Sequence, residues 1–224
     1  MERVKFLIKG FVTNLVFTAI LFISAGRIDY PQGWIFLSAN VLSTFMNFFT
    51  IYKNSELLNE RSKPGEGIKS WDKLLLGFSA LIYVITIVLA GLDSGRFHWT
   101  LNFSWIICIS GVILLVIGQI LFLTARSQNK FFSSVVRIQK DRGHVVCDTG
   151  LYKVVRHPGY LGMIISLMGL PLMTTSIWSV IPTVVAIILL FMRTSLEDKT
   201  LIEELDGYVG YTRKTRNKLV PLIW

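Results

Sequence analysis

The chain has 224 residues, of which 52% are hydrophobic and only 17% charged, with a mean hydropathy of +0.56. A soluble domain is nearer a quarter charged, so this balance excludes an ordinary soluble protein and indicates a polytopic membrane protein. The net charge of +9 would suggest nucleic acid in a soluble chain, but membrane orientation accounts for its distribution and no nucleic-acid partner is expected.

In chain order, Arg3, Lys5 and Lys9 precede a first apolar run at 11–25, and Ser24-Ala25-Gly26 follow it. That arrangement resembles a signal peptide, yet with so many later spans a retained first helix is the expectation. Further runs follow at 34–52, 74–92 and 103–125, most of them near the ~20 residues a helix needs to cross the hydrocarbon core. A shorter run at 161–173 ends near Pro171, and a last one covers 177–192. Lys and Arg concentrate at the N-terminus, in 53–73, in 126–156 and after Arg193, whereas 27–34 and 93–102 carry only Arg27 and Arg96. This positive-inside pattern predicts cytoplasmic termini and cytoplasmic long connectors. The last two runs must then form a helical hairpin with Thr174-Thr175-Ser176 as its turn. The fold class expected is all-α integral membrane, about six transmembrane helices, with polar segments gathered on the cytosolic side and a C-terminal interfacial helix. One polytopic domain fills 1–224, with four spans in 1–125 and the connector, hairpin and tail in 126–224. Cys108 and Cys147 read as free thiols, and no Cys/His spacing suggests a metal site.

Three polar segments meet on the expected cytoplasmic side. In 57–73, Pro64-Gly65 and Gly67 are turn formers among charges, and a solvated loop is one reading. No strand precedes Gly65, so Gly65-x-Gly67 is not a nucleotide fingerprint. The second segment, 144–160, reads HVVCDTGLYKVVRHPGY. Pro158 biases His157 away from helix and suits the first turn of the helix that follows. That turn exposes unpaired N–H groups and the positive end of the dipole, so with Arg156 and His157 it makes an anion site. The competing reading is that Arg156 only anchors a span at the headgroups. In the third segment, Arg193 and Glu197 stand at i and i+4 on one helix face, either as an ordinary ion pair or as functional groups at the bilayer edge. Tyr208, Tyr211 and Trp224 interleave with Arg213, Lys214, Arg216 and Lys218, which suits a segment lying on the membrane surface.

These residues resemble the cofactor motif of integral-membrane methyltransferases of the isoprenylcysteine carboxyl methyltransferase type, whose wider group includes phospholipid N-methyltransferases. The likeness rests on His144-Val145-Val146-Cys147, Gly150-x-Tyr152 and Arg156-His157-Pro158-Gly159-Tyr160. Downstream it continues in Glu197-Asp198-x-x-Leu201, Gly207-Tyr208-x-x-Tyr211 and Leu219-x-Pro221-x-x-Trp224. It is densest in the C-terminal part and weaker in Glu60-Arg61 to Trp71-Asp72. The resemblance implies S-adenosylmethionine as cofactor, bound by His144, Val145, Val146, Cys147, Tyr152, His157, Pro158, Gly159, Tyr160 and Glu197. It implies that Arg193 faces the substrate as the catalytic residue. Two positions depart from the pattern: Asp198 stands where the family has a second Glu, and Arg137 aligns with a Gln that precedes the first His in some members.

The donor's carboxylate suits the helix N-terminus with His157, its ammonium suits Glu197, and Tyr152 or Tyr160 suits its adenine or sugar. A carboxylate acceptor is already ionised and needs a cation to orient it, a task that fits the planar fork of Arg193. An amine acceptor must first lose a proton. The expectation is therefore carboxyl O-methylation of a lipophilic, prenylcysteine-like acid drawn from the bilayer, with membrane lipids as partners. The alternatives are a phospholipid N-methyltransferase and a non-catalytic membrane scaffold.

Overall fold

The computed structural model describes residues 2–52, 54–100, 104–221 and 223–224, without the side chains of Glu2 and Ser55. Lys53, Asn102 and Phe103, which bound several of the segments above, lie outside the described residues. Among the described residues all regular structure is helical. The elements are α1 (Glu2–Ala25), α2 (Pro31–Ile51), α3 (Ser55–Ser62), α4 (Ser70–Ala90), α5 (Trp105–Gln128), α6 (Pro158–Thr174), α7 (Val180–Glu204) and α8 (Tyr208–Lys214). A π-helical segment, Gly91–Phe97, prolongs α4.

Among the described residues five helices are long and apolar enough to cross a bilayer: Arg3–Ala25, Pro31–Ile51, Ser70–Phe97, Trp105–Gln128 and Val180–Glu204. Helices satisfy their backbone polar groups internally, which is what an apolar solvent demands. Their outward faces expose Leu15, Phe45, Phe78, Ile113 and Val184, a surface suited to lipid tails.

The sixth predicted span is α6, a shorter apolar helix of 17 residues, about 25 Å long at 1.5 Å per residue. Pro158 occupies its first turn and His157 is non-helical, as the His-Pro step predicts. Pro171 does not end it. The helix runs on to Thr174, whose hydroxyl donates to the Leu170 carbonyl at 2.9 Å, and stops where Thr175 takes a φ of 52°. The last helix also outruns its apolar segment. Buried contacts of Arg193, Thr194 and Asp198 carry α7 well past residue 192, to Glu204.

Glycines decide how α5 and α6 meet. A Cβ on Gly118 would lie 2.4 Å from the Gly162 carbonyl oxygen, and one on Gly169 would lie 2.5 Å from that of Gly111. Both pairs let two backbones touch, the usual device for close helix packing where lipid offers no hydrophobic drive.

The bundle has two distinct ends. At one, Gln32 Nε2 donates to Thr175 Oγ1 (3.2 Å), and buried Asp93 accepts from Ser176 Oγ (2.6 Å) and the Thr100 N–H (2.7 Å). At the other, Arg126 Nη1 donates to Asn47 Oδ1 (2.8 Å), and α3, the connector after α5 and the C-terminal tail gather there. The tail differs from the surface-lying segment expected. α8 turns Tyr208 and Tyr211 inward to 4% and 5% exposure, so its aromatic residues pack on protein while Arg213 and Lys214 face outward.

Candidate active site

A cavity of about 280 Å³ lies at this second end, between the connector, the start of α6, α7 and α8. Its walls include His144, Val145, Val146, Cys147, Tyr152, His157, Gly159, Tyr160, Arg193 and Glu197. Of the residues singled out from the sequence, only Pro158 is absent from the lining. It acts from behind, by starting α6.

Three buried bidentate pairs hold these walls. Arg193 Nε and Nη2 donate to Asp72 Oδ1 (2.7 Å) and Oδ2 (3.2 Å), fastening α7 to the first turn of α4. Arg156 Nε and Nη2 donate to Asp198 Oδ1 (2.8 Å) and Oδ2 (2.9 Å), fastening the entry of α6 to α7. Arg137 Nε and Nη2 donate to Glu60 Oε1 (3.0 Å) and Oε2 (2.7 Å), fastening the connector to α3. Fork-to-fork pairs fix orientation as well as distance. Once buried, neither partner can be lost without stranding a charge.

The anion site read at Arg156 and His157 is filled by the chain itself. His157 Nε2 lies 3.2 Å from Asp198 Oδ1, and the Tyr208 hydroxyl donates to the same oxygen at 2.9 Å. Arg156 Nη1 donates to the Thr215 and Arg216 carbonyls at 3.0 and 2.7 Å. The N–H groups of Arg156 and His157 donate to the Asn217 and Lys218 carbonyls. Asp198 thus sews the tail over the cavity, and Arg156 is neither a headgroup anchor nor a free anion ligand. A buried guanidinium takes the carboxylate that burial provides, which is why its partner is this one.

Arg193 and Glu197 likewise do not pair with each other. Glu197 accepts from the Tyr160 hydroxyl, and among the described residues no cationic side chain forms a salt bridge with it. Its carboxylate lines the cavity, with Arg193 nearby but beyond salt-bridge distance. The Arg193 guanidinium carbon lies 5.4 Å from the Tyr160 ring centroid, so cation, aromatic ring and acid follow one another along one wall.

His144 Nδ1 accepts the Gln139 N–H at 3.3 Å, and its ring lies 4.5 Å from that of Phe131. Burial first, then the charges of Arg137 and Arg142, push its pKa from 6.5 down to about 4. The folded protein therefore binds this proton only near pH 4, whereas the unfolded chain binds it near 6.5. The stability this gives is complete above about pH 6.5 and is lost as pH falls toward 4. Thermal unfolding in detergent is expected to show that loss in the wild type, and His144→Asn should flatten it; equal slopes would remove His144 as the cause.

Several residues of the site were not assigned from the sequence. Glu60 and Asp72 belong to segments read there as a solvated loop or as weak likeness, yet they are 5% and 0% exposed. Gly65 is needed for more than a turn, since a Cβ there would meet Arg137 Nη2 at 2.8 Å. Gln139, not position 137, brings a glutamine to the cavity, where its Nε2 donates to the Phe131 carbonyl at 2.6 Å. The usable signal was acids of a strongly basic chain placed beside span ends, where an unpaired carboxylate is costly.

The isoprenylcysteine carboxyl methyltransferase (ICMT) family model matches residues 111–203. That stretch holds most of α5, the connector, α6 and most of α7, with the predicted site residues from His144 to Glu197. A probable protein-S-isoprenylcysteine O-methyltransferase of Oryza sativa subsp. indica is 22% identical over 191 residues, covering 84% of this chain and 95% of the relative. Protein-S-isoprenylcysteine O-methyltransferase B of Arabidopsis thaliana is 26% identical over 144 residues, covering 63% and 69%. The protein-S-isoprenylcysteine O-methyltransferase of Saccharomyces cerevisiae is 31% identical over 107 residues, covering 46% and 45%. With the apolar helices, these similarities support a membrane methyltransferase of ICMT-like type.

Proposed function

We propose that the chain takes methyl groups from S-adenosylmethionine and methylates the carboxylate of a lipophilic, prenylcysteine-like acid. The observation that carries this reading is a cavity in which Glu197, an acid with no salt bridge among the described residues, stands near the guanidinium of Arg193. The residues present fit the donor. Glu197 would hold its ammonium, and Gly159, in the first turn of α6, would approach its carboxylate through the backbone. Tyr152 and Tyr208 supply aromatic surface to the same cavity. His157 acts through Asp198, by keeping the tail closed. When bound, the donor supplies an electrophilic methyl carbon on a positively charged sulfur.

The acceptor's carboxylate oxygen forms the new C–O bond as the C–S bond breaks, and that electron pair stays with sulfur. One negative and one positive charge disappear together, and no proton moves. The work left to the protein is positioning, worth several orders of magnitude when the reacting atoms are held in line. Arg193 suits it: Asp72 fixes two of its nitrogens, leaving Nη1 free of hydrogen bonds to the described residues. By the distribution of basic residues we place the cavity and both termini on the cytoplasmic side, with Arg27 and Arg96 at the opposite end.

The test offers purified protein and methyl-labelled donor an S-prenylcysteine acid and, separately, phosphatidylethanolamine. Alkali-labile label on the acid is expected, since esters release methanol in base; alkali-stable label on the amine would overturn the reading. Glu197→Gln should weaken donor binding roughly 10- to 100-fold, the worth of one charge-assisted hydrogen bond. Calorimetry reads that directly, and unchanged affinity would remove Glu197 from the donor site.

A further inference from the structure

Arg61, in the last turn of α3, is a second cation lining the cavity, and it differs from Arg193 in forming no salt bridge among the described residues. Its Nε is buried without a hydrogen-bond partner, and its Nη1 reaches only the Ser133 carbonyl, at 3.5 Å. Its guanidinium carbon lies 5.7 and 6.0 Å from the ring centroids of Phe132 and Phe122. Burial and the neighbouring Arg193 lower its pKa to about 10, which leaves it charged at neutral pH. Arg193 is neutralised by Asp72 and offers a donor; Arg61 offers uncompensated charge.

Arg61 also belongs to a second cavity, of about 420 Å³, between α1, α2 and α3. Lys5, Lys9 and Lys63 line it with Asn14, Thr44 and Asn47, and no carboxylate appears among its described lining. Arg126 stands behind Asn47, 1% exposed, with its own Nε lacking a partner. A guanidinium buried with an unpartnered Nε is costly, and an anion would relieve that cost. α1 and α2, two of the helices that wall this cavity, expose Val12, Val16, Phe45 and Phe49 on their outer faces, a surface suited to an amphiphile's tail.

We propose that this basic cavity receives the anionic head of the lipophilic acceptor, and that Arg61, in the wall shared by the two cavities, holds its carboxylate against the reacting centre. The inference rests on the reading under Proposed function and adds the acceptor's site to it. It also accounts for product release: forming the C–O bond removes the carboxylate's charge, and the neutral ester loses its hold on Arg61.

The experiment uses the full chain in nanodiscs of neutral lipid with S-adenosylmethionine present. KM is measured for an S-prenylcysteine acid, and an inhibition constant for the matching neutral carboxamide. Arg61→Gln is expected to raise the acid's KM at least tenfold, with the donor's affinity and the carboxamide's inhibition constant unchanged. Arg61→Lys should recover part of the loss, and Lys9→Gln with Lys63→Gln should raise the same KM several-fold. An unchanged KM, an equal loss for acid and carboxamide, or a loss of donor binding would each overturn the proposal. So would variants that alter only the response to added phosphatidylglycerol, because the cavity would then serve a lipid phosphate. If the wild type methylates no acid at all, it is the functional reading that falls, before any variant is compared.

Discussion

Asp198→Ala is expected to release the C-terminal tail and destabilise the protein by about 3–5 kcal/mol, the usual cost of stranding one partner of a buried pair. The carboxylate is 1% exposed and serves Arg156, His157 and Tyr208 together. Without it, the Arg156 guanidinium keeps only the Thr215 and Arg216 carbonyls, and Tyr208 and His157 lose their common acceptor. Asp198→Asn retains the shape and one acceptor oxygen, so its loss should be smaller. Thermal unfolding measures the stability, and limited proteolysis after residue 204 measures release of the tail. A tail as protected in Asp198→Ala as in the wild type would show that α8 is held by its tyrosine packing alone.

Asp72→Ala is expected to cut kcat about 100-fold, the effect of misplacing a positioning group by about an ångström, while donor affinity is spared. Asp72 does two things: it orients Arg193 through two hydrogen bonds, and its Oδ2 accepts the Val136 N–H at 2.8 Å, setting the connector beside that arginine. If its role in turnover runs through Arg193, the double variant Asp72→Ala/Arg193→Ala should be no slower than Arg193→Ala alone. Additive losses would assign Asp72 an independent role, through the connector. Measuring donor affinity beside turnover keeps a folding defect from passing as a catalytic one.

Much of the bundle was legible because its causes are local. Apolar length marks the spans, a His-Pro step marks the start of α6, and the residues from His144 to Tyr160 reach the cavity as a group because they are neighbours in the chain. The same local logic placed the turn after α6 at 174–176 and carried the last helix past its apolar run through Arg193 and Glu197. What it left open was how far the last helix runs, which buried contacts of Thr194 and Asp198 extend to Glu204.

By itself, the sequence determined a helical membrane protein with one polar, motif-bearing end. Tertiary structure alone decided which acid meets which base. Arg193 had Glu197 one turn away and took Asp72, 121 positions distant; Arg156 took Asp198, and Arg137 took Glu60. Among the described residues Arg61 was left without an acid. Hydrophobic length and helix capping act over a few residues and can be read in order along the chain. Ion pairing is a choice among 14 acids and 23 bases, settled by which of them the packed helices bury side by side.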